Sequence, residues 1–209
     1  MSLENELTAL RLEPSVKAKN GLDFIGAAAV VWAAISVVWA LPGSATHKGF
    51  VTFFVGALTL PLAWVLSKLL RTTWTLPHNP LQPLGLWFNF AQLFYFPFLI
   101  FIFGQSPAYF IMTYGIITGA HFFPYAWFYK APAFAVMAGV IPVGCLLIGV
   151  RTATTAPYAV PVFVTAALLL LGAGLWHSYR QHARAYPLAG AVAEHGSATQ
   201  GDCRTHPAS

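Results

Sequence analysis

The stretch from Gly85 to Lys130 holds most of the polar side chains that interrupt this chain's long apolar runs. In its first half Asn89, Gln92 and Tyr95 follow one another at three-residue steps, which on a helix puts them along one face. The second half answers with Thr118, His121 and Tyr125, one turn after Tyr114. A turn at Gly104, Gln105, Ser106 and Pro107 joins the halves, with Gln92 14 residues before Ser106 and His121 15 after it, so both are expected at similar depth. An imidazole there can change protonation near neutral pH, while amides and phenols orient a small polar molecule or ion. Asn89, Gln92, Tyr95, Thr118, His121 and Tyr125 are therefore the candidate ligand-binding residues. The same residues also suit an interhelical clamp, Gln92 bonded to His121, worth on the order of 0.6 kcal/mol in a membrane.

Other chemistries lack their residues. No G-x-S-x-G or H-E-x-x-H motif and no pair of intramembrane carboxylates occurs, so no catalytic residue is assigned. No His, Cys or carboxylate cluster has metal-ligand spacing, and no metal or cofactor is expected. Cys145 and Cys203 are expected as unpaired thiols. Asp23, at the start of an apolar run, is expected to meet water or Lys19.

The elements that must position the cluster follow from composition. Charged residues are 8% of the 209 and hydrophobic ones 57%, too few charges to clothe a soluble globule. The expected fold is all-α, a polytopic bundle of about six transmembrane helices in the lipid bilayer. Apolar runs place the spans at about Leu22–Leu41, Gly49–Leu70, Leu84–Phe103, Ala108–Phe128, Pro132–Val150 and Tyr158–His177. Residues 1–21 form an amino-terminal segment, with a short helix expected before Pro14. Residues 22–177 form the membrane domain, and 178–209 form a tail expected to be largely disordered from about Ala185.

The formal charge of +5 is scattered over helix flanks, which speaks against a nucleic-acid partner. On the six-span reading, Arg11, Lys17, Lys19, Lys68, Arg71, Lys130, Arg180, Arg184 and Arg204 share one side, against Lys48 and Arg151 on the other. That asymmetry puts both termini in the cytoplasm.

The pattern G-A-x-x-x-P-x-A-W occurs at Gly56–Trp64 and again at Gly119–Trp127, offset by 63, and suggests a repeated helical hairpin. Pro61, Pro97, Pro124 and Pro142 each fall inside a span, deprive a carbonyl of its N–H and are expected as hinges. Small residues supply close-packing faces: Thr52, Gly56, Thr59, Ala63 and Ser67 in the second span, Gly115 and Gly119 in the fourth, and Ala135, Gly139, Pro142 and Gly149 in the fifth. Such faces also suit a homo-oligomer.

Pro61-Leu62-Ala63, Ser67-Lys68-Leu69, Asn79-Pro80-Leu81, Leu84-Gly85, Gln92 with Tyr95, and Gly119-Ala120-His121 with Pro124, Tyr125 and Trp127 resemble a family of small multi-pass bacterial membrane proteins of unknown function. The resemblance spans about residues 20–150 and implies a bacterial inner-membrane protein. It adds no substrate, cofactor or catalytic residue. The leading expectation is binding or transport of a small molecule or ion between spans three and four. A non-catalytic scaffold or assembly factor is the alternative, and a lipid-modifying enzyme using His121 and Tyr125 is third.

Overall fold

A computed structural model describes the backbone of residues 3–202 and the side chains of residues 4–186. All regular structure among the described residues is helical: α1 (Leu3–Lys17), α2 (Leu22–Ala40), α3 (Ala45–Ala57), α4 (Thr59–Leu70), α5 (Gln82–Leu93), α6 (Phe96–Gln105), α7 (Phe110–Ala120), α8 (Phe123–Phe128), α9 (Pro132–Thr152) and α10 (Ala159–Asp202). Five stretches are long and apolar enough to cross a membrane: Lys19–Ala40, Ala45–Leu70, Gln82–Gln105, Pro132–Thr152 and Ala159–Tyr186. Large apolar side chains such as Phe54, Leu69, Phe94 and Leu169 point outward. Lipid, not water, is the solvent such a surface requires. The expected fourth span is not among the five, because its residues form two shorter helices, α7 and α8.

Helices in lipid gain nothing from hiding apolar surface, so packing geometry decides which of them touch. The centre pairs α2 with α10, burying Trp32, Ile35 and Trp39 against Leu168, Leu171 and Leu175. Beside it α7 crosses α9 with backbones close together. A Cβ at Gly119 would lie 2.6 Å from Ile141 Cβ and from Pro142 Cδ, and one at Gly115 would lie 2.6 Å from Cys145 Sγ. Gly149 likewise receives Met112. In α3–α4 the small-residue stripe faces inward, with Thr52 accepting from Trp39 Nε1 at 2.9 Å and Gly56 admitting the Tyr114 hydroxyl. Gly139 has open space around it.

Three of the four expected proline hinges coincide with breaks. The helix stops at Ala57 before Pro61, at Leu93 before Pro97 and at Ala120 before Pro124. Both copies of the G-A-x-x-x-P-x-A-W pattern therefore break directly after their Gly-Ala. At the first copy Thr59 Oγ1 donates to Gly56 O (2.8 Å). Pro142 departs from the expectation, since α9 runs through it unbroken. Its ring is pressed into the space over Gly119, and that neighbour holds the helix where a freed carbonyl would otherwise open it.

The two ends of the chain differ from expectation. α1 continues through Pro14, whose missing N–H would strand the carbonyl of Leu10. Asn79 Nδ2 donates to that carbonyl instead, at 2.8 Å. At the other end, α10 carries helical backbone past His177 to Asp202, where a structureless tail was expected from Ala185. Ala183, Ala185, Ala189, Ala191 and Ala193 are strong helix formers, and a search for apolar periodicity passes over them. Residues 203–209 lie outside the described backbone.

Candidate functional site

The break between α7 and α8 exposes a backbone acceptor, and an imidazole takes it. Phe122 N–H reaches only as far back as Gly119 O (3.1 Å), so Thr118 O loses its usual helical donor. His121 Nδ1 lies 2.7 Å from that oxygen. A carbonyl can only accept, so Nδ1 carries the proton and the neutral ring presents Nε2 as a bare acceptor. The ring is half-buried. Thr118 is buried and donates through Oγ1 to Tyr114 O (2.9 Å). The Tyr125 ring stands perpendicular to His121, centroids 6.0 Å apart, and its hydroxyl makes a long 3.4 Å bond to Gly85 O on α5.

From α5 the contact face is Gly85 and Phe88, the latter edge-on to Tyr125 at 5.6 Å. Gln92 stands one turn further along that face, half-buried, and makes no side-chain hydrogen bond among the described residues. Asn89 is rotated roughly 100° from Phe88. It is exposed and donates back to Gly85 O of its own helix (3.2 Å). Tyr95, 54% exposed, falls in the α5–α6 break. There Phe94 and Tyr95 bond three residues back, to Ala91 O and Gln92 O. Tyr95 is left exposed in that break and makes no side-chain hydrogen bond among the described residues. The structure thus gathers Thr118, His121 and Tyr125, with Gln92 on the same inner face of α5. It does not bring in Asn89 or Tyr95, and no Gln92–His121 hydrogen bond is formed.

A second polar centre lies at the α1 end, built around a residue the spacing argument set aside. Asp23 is 1% exposed and meets neither water nor Lys19. Its Oδ2 accepts from Thr72 Oγ1 and Trp74 Nε1, both at 2.6 Å, and its Oδ1 from Phe24 N at 2.9 Å. The chain enters α2 through three successive left-handed residues, Lys19 (φ 48°), Asn20 (φ 55°) and Gly21 (φ 72°). Each non-glycine residue there costs about 1–2 kcal/mol. The turn seats Gly21 under the Tyr129 ring and buries Asn20, whose Nδ2 donates to Leu175 O (3.2 Å).

Around this centre Ser15 Oγ donates to Tyr129 O (2.6 Å), and Arg11 donates to Trp127 O through Nε (2.8 Å) and Nη2. Asn79 also donates to Glu13 (2.9 Å). One sequence signal could have flagged the centre: no other Asp or Glu occurs between Glu13 and Glu194.

Residues 7–178 match the family described as a family of unknown function (DUF7010). The chain belongs to that family. Comparison with curated proteins and with solved structures finds no match. Membership in DUF7010 brings no activity with it, so the geometry at the α7–α8 break carries the functional argument. No group of three or more metal-ligating side chains occurs among the described residues.

Proposed function

We propose that this DUF7010 chain crosses a bacterial inner membrane six times, with both termini cytoplasmic, and binds or moves a small polar molecule or ion at the α7–α8 break. In this reading α7–α8 is the fourth crossing. Lys and Arg crowd the α1 end of the bundle, and Lys48 and Arg151 alone flank its opposite end, which supports the orientation. The observation that carries the proposal is the bare Nε2 of His121, half-buried at the α7–α8 break and without a hydrogen-bond partner among the described residues. A ligand with an N–H or O–H satisfies Nε2, and Gln92 can donate or accept alongside it. Thr118 and Tyr125 hold the imidazole, while Asn89 and Tyr95 stay outside the site. The breaks before Pro61, Pro97 and Pro124 give this half of the bundle its hinges.

The test is ligand-dependent thermal stabilisation of purified protein against a panel of small polar compounds and ions. His121→Ala and Gln92→Ala should fold, insert and lose the response. Variants that only lose stability, with no compound stabilising the parent protein, would return these residues to a packing role.

A scaffold or assembly factor is the second reading, favoured by α5–α6 being the least enclosed of the five candidate spans. Gly115, Gly119 and Gly149 already face their own chain, so a partner helix or a second copy would use the α5–α6 face. A stoichiometric partner recovered in mild detergent supports that reading. The lipid-modifying enzyme would need lipid turnover that depends on His121.

A further inference from the structure

The end of the bundle opposite α1 contains a groove of about 470 Å³ between the α2–α3 turn, Ala108 and the α9–α10 turn. Its polar lining is Lys48, Thr154, Thr155 and Tyr158, and Trp39 stands in its wall. Lys48 Nζ spends one donor on Trp39 O (3.2 Å), leaving two of its three N–H groups without a partner among the described residues. Neither threonine hydroxyl makes an internal side-chain hydrogen bond among the described residues. Thr154 and Thr155 are exposed in the α9–α10 turn, unlike Thr118, Thr152 and Thr165, which donate back to their own helices.

Among the described residues no carboxylate pairs with the ammonium. The sequence has no Asp or Glu between Asp23 and Glu194, and Asp23 is 16 residues from Trp39 along α2, roughly 24 Å away. In the orientation proposed above, on which this step rests, this is the side where cations are disfavoured, so a lysine over a groove of free donors suits an anion.

We infer that this groove binds a phosphate oxyanion, with Lys48 as its charge partner and the Thr154 and Thr155 hydroxyls as further donors. Several donors around a space of this size suit a tetrahedral oxyanion with an attached polar group better than a halide. Ala40, Pro42 and Ala45 give the groove an apolar wall against which a glycerol backbone can lie. The turns that form it belong at headgroup depth, so the phosphate can come from an anionic lipid or from a soluble phosphate.

The experiment measures the unfolding midpoint of the full chain in neutral detergent. Phosphatidylglycerol, inorganic phosphate and zwitterionic phosphatidylcholine are added separately. A saturating ligand should raise the midpoint on the order of 5 °C. A rise with phosphatidylglycerol but not with inorganic phosphate assigns the lipid headgroup. An equal rise with inorganic phosphate assigns a soluble ligand. Either rise should disappear in Lys48→Gln and shrink in the Thr154→Val, Thr155→Val double variant. Lys48 also holds Trp39 O, so if Lys48→Gln fails to fold, the double variant decides the matter, because those hydroxyls hold nothing internal. The inference is overturned if no phosphate-bearing probe shifts the midpoint, if phosphatidylcholine shifts it equally, or if the variants keep the full shift.

Discussion

The Asp23 centre and the His121 break are both polar, both sit at helix irregularities, and differ in how completely their hydrogen bonds are answered. Asp23 receives three donors from Thr72, Trp74 and its own turn, and is sealed from solvent. His121 has one nitrogen engaged and the other bare, half-buried at the α7–α8 break. A buried polar group with every bond made stabilises one arrangement, whereas a group left short of a partner can take one from outside. That difference is why the first region is read as architecture and the second is the one proposed for recognition.

The largest effect that would test this contrast is at Asp23. Asp23→Ala removes the shared acceptor of the Thr72 hydroxyl and the Trp74 indole N–H and leaves a gap at a fully buried position, and should cost about 3 kcal/mol of stability. Chemical denaturation in detergent checks it. Ligand response at the His121 break should survive in whatever fraction remains folded. A stable Asp23→Ala protein would break the contrast.

Next is Gly119, which holds the break against α9. Gly119→Val puts branched carbon where Ile141 and Pro142 already approach within 2.6 Å of a Cβ position, and overpacking of this kind costs about 1–3 kcal/mol. Displacing α9 from α7 should also weaken ligand response. His121→Ala sharpens the comparison from the other side. It removes one bond to Thr118 O, so the unfolding free energy should fall by less than about 1 kcal/mol, while ligand-induced stabilisation should vanish.

Helix content, the small-residue faces and the breaks at Pro61, Pro97 and Pro124 were legible in the sequence because each follows from local chemistry. An apolar run, a glycine pair or a missing N–H acts within a turn of itself. What was not legible depended on partners far along the chain. Asp23 meets Thr72 and Trp74 some 50 residues away, and Asn79 rescues the helix at Pro14 from 69 residues beyond Leu10. The face of α5 was half legible: Gln92 shares the inward side, but Phe88 rather than Asn89 makes the contact, and Tyr95 lies exposed where the helix breaks before Pro97. Counting in threes assumes a uniform helix, and proline had already made this one non-uniform.

The smallest predicted effect lies at the rim of the Asp23 centre, where Glu13 pairs with Lys17 (2.6 Å) and accepts from Asn79. The Lys17 bond, followed by the Asn79 bond, outweighs burial and holds the Glu13 carboxyl below its ordinary range. A carboxyl depressed on folding contributes stability that is fully present above its unfolded pKa and is lost as pH falls through the lower folded value. Lys17 is displaced upward, by the same bond to Glu13, so its share is present below the ordinary lysine range and is lost as pH rises through the raised value. The pair therefore contributes most across the neutral range. Because Lys17 is largely exposed, that contribution should be only about 0.3–0.5 kcal/mol. Glu13→Gln should flatten the acid limb of the stability profile by that amount and leave the His121 ligand response intact. A larger loss, extending to ligand response, would mean that α1 transmits the state of its surface to the break through Arg11 and Ser15, which bond to the Trp127 and Tyr129 carbonyls directly below it.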